Sequence, residues 1–552
     1  MTARRQGERV AHVARRLAKS PVKNDCLSLI TYVTEPQHML YHAKARRSEG
    51  GAVPNKLNIL SNLDFGSQVA EEEKDTLRAY FVETNQWRRV YKGDVDIVYG
   101  PKGAGKSAIY VLIQEYEAEL AKKGIILQPA ENLRGDPAFK DLLTTPPKAE
   151  REFENLWKLY FLSLLGLSLK QHNIGGADAD KFTDILQDAN LLPAKGMTFN
   201  GILKAAQEYL ARFVNPKAVE GTITVDPITG TTTAVTARIV FDEPGTDGRK
   251  RGEVSVAELL KLANTALKAK KKKIWLLLDR LDVAFDDNAE LEKNALRALF
   301  RAYRTLRSYD QILLKIFLRT DIWDRIAEQG FREATHLARE LTISWDAATL
   351  QNLIIRRLLN NPLLVKQYAV NKKKVLQDVA EQNKLFNRVF PDQVEVGKRQ
   401  STTMDWMIKR TTDGTNVSGP RELILFLKEL RDEQIKRLER GETEPPAEAL
   451  FDRASFKQAL PKVSEYKTTK VLYAEYPELK ISIETLRSKR SEHDLKSLSE
   501  IWQGPISTTE MAERLVRVGF FERRKTAETT TYWVPFIYRP YLNLTQGRAE
   551  TE

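Results

Sequence analysis

The chain reads as an α/β protein built around a doubly wound parallel sheet, and three observations predict it. A short β-rich run, Val95–Tyr99, ends at Gly100 in a glycine-rich turn that passes directly into a segment with helical spacing. Two continuous apolar runs, Ile274–Leu278 and Ile312–Leu318, have the length and composition of strands buried on both faces. Strand-like and helix-like segments then alternate through the middle of the chain, as parallel strands joined by crossover helices require. A helical insertion, a helical lid and a C-terminal winged-helix-like domain complete the expected architecture.

Composition sets the outer limits. At 552 residues the chain is too long for one domain, and about 150 residues per domain suggests three or four. With 42% hydrophobic and 29% charged residues, large cores are expected and wholesale disorder is not. Lys and Arg outnumber Asp and Glu by 87 to 74, and the net charge of +13 favours an anionic partner: a nucleotide, DNA or RNA, or an acidic protein face. The single cysteine, Cys26, excludes an internal disulfide and a cysteine-built metal centre and fits a reducing compartment. No apolar run reaches the roughly 20 residues that span a bilayer, so no membrane segment is expected and a cytoplasmic location is.

Residues 1–60 carry basic clusters (Arg4, Arg5, Arg9, Arg15, Arg16 and Lys19) and then an apolar, aromatic stretch around Leu27–Tyr41. A basic N-terminal arm is expected there. The Arg-rich, acid-poor start also resembles an organelle transit peptide, whereas the lack of an apolar h-region argues against a secretory signal.

The first strand leads into GPKGAGKS, Gly100 to Ser107, which satisfies G-x-x-x-x-G-K-[ST] in the strand–loop–helix setting of a P-loop. Gly100, Gly103 and Gly105 let the backbone turn tightly and aim its amides at phosphate oxygens, and the positive end of the next helix adds to that field. The candidate nucleotide-binding residues are thus Gly100, Pro101, Lys102, Gly103, Ala104, Gly105, Lys106, Ser107 and Ala108. Lys106 is expected to reach the β- and γ-phosphates of ATP and Ser107 to ligate Mg²⁺.

Beyond the loop, an insertion at about 131–252 is expected to hold amphipathic helices near Glu152–Leu169 and Phe199–Phe213. A hairpin is expected in which Val225 and Val235 flank the turn signal Asp226–Gly230. The apolar strand Ile274–Leu278 ends in Asp279, at the strand tip where α/β ligands bind, and Asp279 is the candidate to hold the metal through water. Asp282 is the candidate for polarising the attacking water, with Asp286 and Asp287 as alternatives. The strand Ile312–Leu318 leads to Arg319, Thr320 and Asp321, a tip from which a polar residue senses the γ-phosphate. Thr320 or Asp321 equally well caps the next helix. Lys106, Asp282 and Arg319 form the candidate catalytic set. A fourth strand, Glu340–Ser344, precedes a helix at Asp346–Leu359.

The remainder reads as a mostly helical lid, an Arg-, Glu- and Pro-containing linker at Arg437–Ala449, and a winged-helix pattern. In that pattern a helix with Met511, Leu515 and Val516 runs into Gly519 and two short strands follow. Arg514, Arg517, Arg523, Arg524 and Lys525 make it basic, as DNA contact requires. The lysines at 268 and 270–273 read as a solvated strand entrance. The expected domains are 1–60, a P-loop core at 61–355, a lid at 356–445 and a winged-helix-like domain at 446–552.

These residues together resemble the AAA+/STAND branch of P-loop ATPases. They are more closely similar to a little-characterised bacterial P-loop ATPase family often found in mobile or antiviral-defence gene neighbourhoods. The likeness lies in the lead-in Ala70–Thr84, the GPKGAGKSA loop, the LLLDRLD and FLRTDIW strands and SGPRELILFLKEL at Ser418–Leu430. The resemblance implies a further strand between the Walker A and Walker B strands, and a lid element, Gly419-Pro420-Arg421, that touches nucleotide. Arg421 is then a sensor-2-like residue, or else a helix-start arginine paired with a surface carboxylate. Asp64, Phe65 and Gly66 are candidates to wall the adenine. The resemblance also implies a winged helix that packs against the nucleotide module and reports its state. Arg319, Arg356 and Arg357 are candidates for an arginine lent by a neighbouring subunit. The expected function is an ATP- and Mg²⁺-dependent ATPase that drives a conformational or oligomerisation switch, as a homo-oligomer or with a partner effector protein. The alternative is a nucleic-acid-binding protein that uses ATP as a clamp.

Overall fold

The apolar runs pair side by side. In the computed structural model, β1 (Ile97–Gly100), β2 (Ile125–Pro129), β3 (Lys273–Leu278), β4 (Ile312–Arg319) and β5 (Glu340–Thr342) form one sheet in the order β2-β3-β4-β1-β5. Every pairing in it is parallel. The residues described are 55–130, 149–194, 196–214, 224–225, 232–234, 238–281, 289–328, 330–331, 337–504, 506–526 and 529–548. Strand β4 stands between β1 and β3, the arrangement that the resemblance implied.

Continuous hydrophobicity follows from burial on both faces. Along β3, Ile274, Leu276 and Leu278 enter the core on one side of the sheet, and Trp275 and Leu277 enter the core on the other. The first side is covered by α3 (Glu150–Gln171), α4 (Val256–Ala269) and α5 (Ala289–Leu306). The second is covered by α2 (Lys106–Glu115) and the helix Asn85–Lys92, while α1 (Lys74–Tyr80) adds Leu77. Helix α3 lies in the stretch read as an insertion, yet Phe153, Trp157, Tyr160 and Phe161 are buried against the sheet and Trp157 donates to Ala295 O at 2.8 Å. It is a layer of the core. The expected hairpin is present as Thr224–Val225 paired antiparallel with Thr232–Ala234; its turn lies outside the described residues.

After β4 come α6 (Thr320–Glu328) and α7 (Ala347–Leu359), which Asp346 opens with a reciprocal capping box to Thr349. Helix α8 (Pro420–Glu439) has proline at its first turn, where the missing N–H costs nothing. Helix α9 (Arg453–Tyr466) runs into a π-helical turn, Lys467–Leu472. Helix α10 (Thr508–Arg517) stops near Gly519, at φ +76°, and is followed by the wing. There β6 (Arg490–Asp494), β7 (Glu522–Lys525), β8 (Thr530–Trp533) and β9 (Thr545–Arg548) form a sheet in the order β7-β8-β6-β9.

One apolar cluster joins lid and winged helix: Leu423 and Phe426 of α8, Phe456 of α9, Leu515 of α10 and Tyr532 of β8. The stretch read as a linker begins inside α8 and is then fastened down. Lys56 Nζ donates to Pro445 O and Ala447 O at 2.5 and 2.9 Å, and Leu450 N donates to Val389 O at 2.9 Å. Among the described residues no helix is long and apolar enough to cross a membrane.

Candidate functional site

Register brings the predicted residues to one edge. Gly100 lies opposite Arg319, and Leu278, just before Asp279, lies opposite Ile316. The carboxyl ends of β1, β3 and β4 therefore converge, where open α/β sheets bind ligands. The loop turns through Gly103 and Gly105, at φ +81° and +96°, a region that strains any L side chain. Lys106 then opens α2. Lys106 Nζ donates to Gly100 O at 2.8 Å and Pro101 O at 3.0 Å, so its ammonium folds back on the loop's own carbonyls.

A cavity of about 840 Å³ opens over the loop. Lys102, Gly103, Ala104, Gly105, Lys106, Ser107 and Ala108 line it with Asp279, Arg319, Pro420 and Arg421. Gly100 and Pro101 do not; they stand behind the loop as acceptors for Lys106. Asp282, Asp286 and Asp287 fall outside the described residues. Asp279 is 3% exposed and shares the cavity with the Ser107 hydroxyl. A hydroxyl and a carboxylate are hard oxygen donors suited to Mg²⁺, and phosphates and water ordinarily complete its octahedron. The donor set fits that ion. Among the described residues no group of three or more His, Cys, Asp or Glu gathers to hold a metal by itself.

The lid touches the loop. A Cβ on Gly103 would stand 3.0 Å from Arg421 Cβ, and one on Gly419 would stand 3.3 Å from Gly103 O. Arg421 is half-buried, and no carboxylate among the described residues pairs with it. Directly after it, Glu422 receives Lys467 Nζ at 2.8 Å, and the same ammonium lies 3.2 Å from Asp413. Burial opposes the charge of Lys467, but Glu422 and Asp413 together raise its pKa well above the ordinary lysine range.

Two contributors have no motif. Trp345, just past β5, donates from Nε1 to Ala104 O at 2.9 Å and so pins the loop from the side. Glu475, from the segment after the π-helical turn, enters the site beside the loop. Its Oε1 lies 2.5 Å from Lys102 Nζ and 3.0 Å from Arg319 Nη1. Burial lowers the pKa of Lys102, and Glu475 partly restores it. A carboxylate so far along the chain carries no local signal; an indole directly after a predicted strand is a weak one.

Thr320, Asp321, the segment Asp64–Gly66 and Arg357 depart from the expected positions. Thr320 begins α6 and Asp321 sits in its first turn, gripped by Arg319 through contacts of 3.0 and 2.8 Å. Burial works against ionisation of Asp321, yet Arg319 holds its carboxyl below the usual range. Of that tip, Arg319 lines the cavity and Thr320 and Asp321 do not. Asp64, Phe65 and Gly66 are not at the wall: Phe65 is fully buried in the lid cluster, and Ser67–Glu73 with Tyr80–Val82 line that side. Arg357 is 3% exposed and held by Glu73 at 2.6 Å, an interior position with no reach toward a neighbour. Arg356 bonds Asn352 within its own helix. In α10 and the wing, Arg514 pairs with Glu510, Arg523 with Glu513 and Arg524 with Glu522, at 2.6 to 3.0 Å.

No family model matches the chain, and no curated protein matches it significantly. Solved structures similar to it include the Aeropyrum pernix ORC1 protein in complex with DNA, at 12% identity and a TM-score of 0.34, covering 83% of this chain and 91% of that one. The Aeropyrum pernix ORC2 protein in its ADPNP–ADP complexes shows 11% identity and a TM-score of 0.36, covering 86% and 92%. A Walker-type ATPase of Pyrococcus abyssi shows 12% identity and a TM-score of 0.35, covering 84% and 96%.

Proposed function

We propose that the chain is a Mg²⁺-dependent ATPase of the P-loop class in which the C-terminal half answers to the state of the nucleotide site. The observation that carries this is the single 840 Å³ crevice shared by the glycine-rich loop, Asp279, Arg319 and the lid's Pro420 and Arg421. On ATP binding, Lys106 leaves the carbonyls of Gly100 and Pro101 for the β- and γ-phosphates, and the loop amides take the remaining oxygens. Ser107 and Asp279 would hold Mg²⁺, and the ion would supply charge that neutralises the phosphates. Asp282 accepts a hydrogen bond from the attacking water and aligns it on the γ-phosphorus, and the bond to the bridging oxygen breaks to leave ADP and phosphate. Arg319 and Arg421 meet the γ-phosphate from the sheet and the lid.

The switch follows from Glu475. Its carboxylate occupies, between Lys102 and Arg319, the kind of place an anionic phosphate takes. An arriving triphosphate competes for the same cations and releases the segment that bears Glu475. In the antiviral-defence setting that the resemblance implies, the released C-terminal half would act on copies of the chain or on a partner effector. The shared apolar cluster and the in-domain pairing of Arg514, Arg523 and Arg524 support this packing role of the winged helix over duplex binding.

The test is ATP hydrolysis by the full chain and its variants, with and without DNA. Lys106→Ala is expected to lose binding and turnover. Asp279→Asn and Asp282→Ala are expected to bind ATP yet lose turnover by roughly a hundredfold. Turnover by Lys106→Ala equal to wild type contradicts the reading; strong stimulation by DNA favours the clamp.

A further inference from the structure

A second cavity of about 740 Å³ lies at the other end of the sheet, where β2, β3 and β4 begin. Its wall carries Lys92, Lys123, Lys268, Lys271 and Lys273, joined by Arg307 and Arg339. Two carboxylates share the lining, Asp96 and Asp310. Asp96 is already engaged: Lys315 Nζ lies at 2.8 Å, Arg339 Nε at 3.1 Å and the Tyr303 hydroxyl at 3.1 Å. No carboxylate among the described residues pairs with Lys92, Lys268, Lys271 or Lys273.

Local structure holds these lysines together. Lys268 is in the last turn of α4, and Lys92 is in the last turn of the helix Asn85–Lys92. Lys271 is left-handed, at φ +53°, and its carbonyl would stand 2.7 Å from a Cβ on Gly124. Lys273 N donates to Gly124 O at 2.8 Å, so the turns before β2 and β3 are packed together. Helix C-terminal ends favour nearby cations by about 0.3–1 kcal/mol each, but that does not require several to face one hollow. Like charges so gathered repel, and a multivalent anion relieves them all at once. The volume is in the range of small-molecule sites, roughly 300–1,000 Å³.

We propose that this basin binds a compact small molecule carrying several phosphates, held by the lysines of the β2 and β3 entrances with Arg307. The site is separate from the nucleotide crevice: Lys273 opens the six-residue strand β3 and Asp279 follows its far end, about 20 Å away. A concave hollow suits a compact polyanion better than a duplex, whose phosphates lie on a convex surface.

The probe is inorganic tripolyphosphate, titrated calorimetrically into full-length protein carrying Lys106→Ala, so that the P-loop does not contribute. Tripolyphosphate is expected to bind, and Lys268→Glu with Lys271→Glu is expected to weaken it by about tenfold or more, with affinity falling steeply as salt rises. Both lysines are exposed, and an unchanged melting midpoint verifies folding. Unchanged affinity in the double variant overturns the proposal. So does a result in which a single-stranded oligonucleotide binds through these lysines while tripolyphosphate neither binds nor competes.

Discussion

Glu475 bears most of the regulatory account. It lies between Lys102 and Arg319, both of which line the crevice, and no local pattern marks it. Glu475→Gln keeps the shape and removes the charge. It is expected to tighten ATP binding by roughly 3- to 10-fold, about 1 kcal/mol for a partly exposed pair, measured by equilibrium titration with a fluorescent ATP analogue. Weaker binding would mean that Glu475 organises the crevice instead of competing for it. Gly103 makes the complementary case: its left-handed backbone strains any side chain, and its 3.0 Å approach to Arg421 means that a Cβ would push the lid back by a few tenths of an ångström. Gly103→Ala is expected to cost about 1–2 kcal/mol in chemical denaturation and to impair ATP binding together with lid packing.

Strand β4 links the two ends of the sheet. Arg319 sits at its carboxyl end, in the crevice lining, while Lys315, 1% exposed, reaches back to Asp96. Burial lowers the Lys315 pKa to about 8, with Asp96 offsetting part of the penalty. An unfolded lysine titrates near 10.4, so between pH 8 and 10 the unfolded chain holds the extra proton and stability rises with pH. Lys315 is expected to add up to roughly 3 kcal/mol across that window, read as a rising denaturant midpoint that flattens in Lys315→Met. Above pH 10 the buried tyrosines reverse the trend, since burial raises the pKa of Tyr303 and Tyr538. Strands β1, β3, β4 and β5 and the loop were legible in the sequence, because burial on both faces demands unbroken apolar runs and the tight turn of the loop demands glycines, whereas β2, with three apolar residues before Gln128, was not placed. The strand bounds moved by one or two residues, as with Glu340–Thr342 in place of Glu340–Ser344. What could not be read was pairing at a distance: Trp345 on Ala104, Glu475 on Lys102, or α3 as a core layer within an apparent insertion. Each depends on where helices stack, and local periodicity carries no record of that.

The lid and the winged helix share one apolar cluster and are tied through Lys467, Glu422 and Asp413. Opening either is expected to open both. Amide exchange in Leu427 and in Leu515 should therefore report one opening free energy, and two separate values would show independent domains. Removing the buried ammonium by Lys467→Met is expected to destabilise the chain by about 3–5 kcal/mol, because Glu422 and Asp413 then face each other uncompensated. The most direct test is a crystal structure with Mg²⁺ and a non-hydrolysable ATP analogue. The prediction is a triphosphate in the loop, Lys106 drawn off Gly100 and Pro101 onto it, and Glu475 parted from Lys102. An analogue bound with the Glu475–Lys102 contact intact, or a crevice without the analogue, would contradict the account.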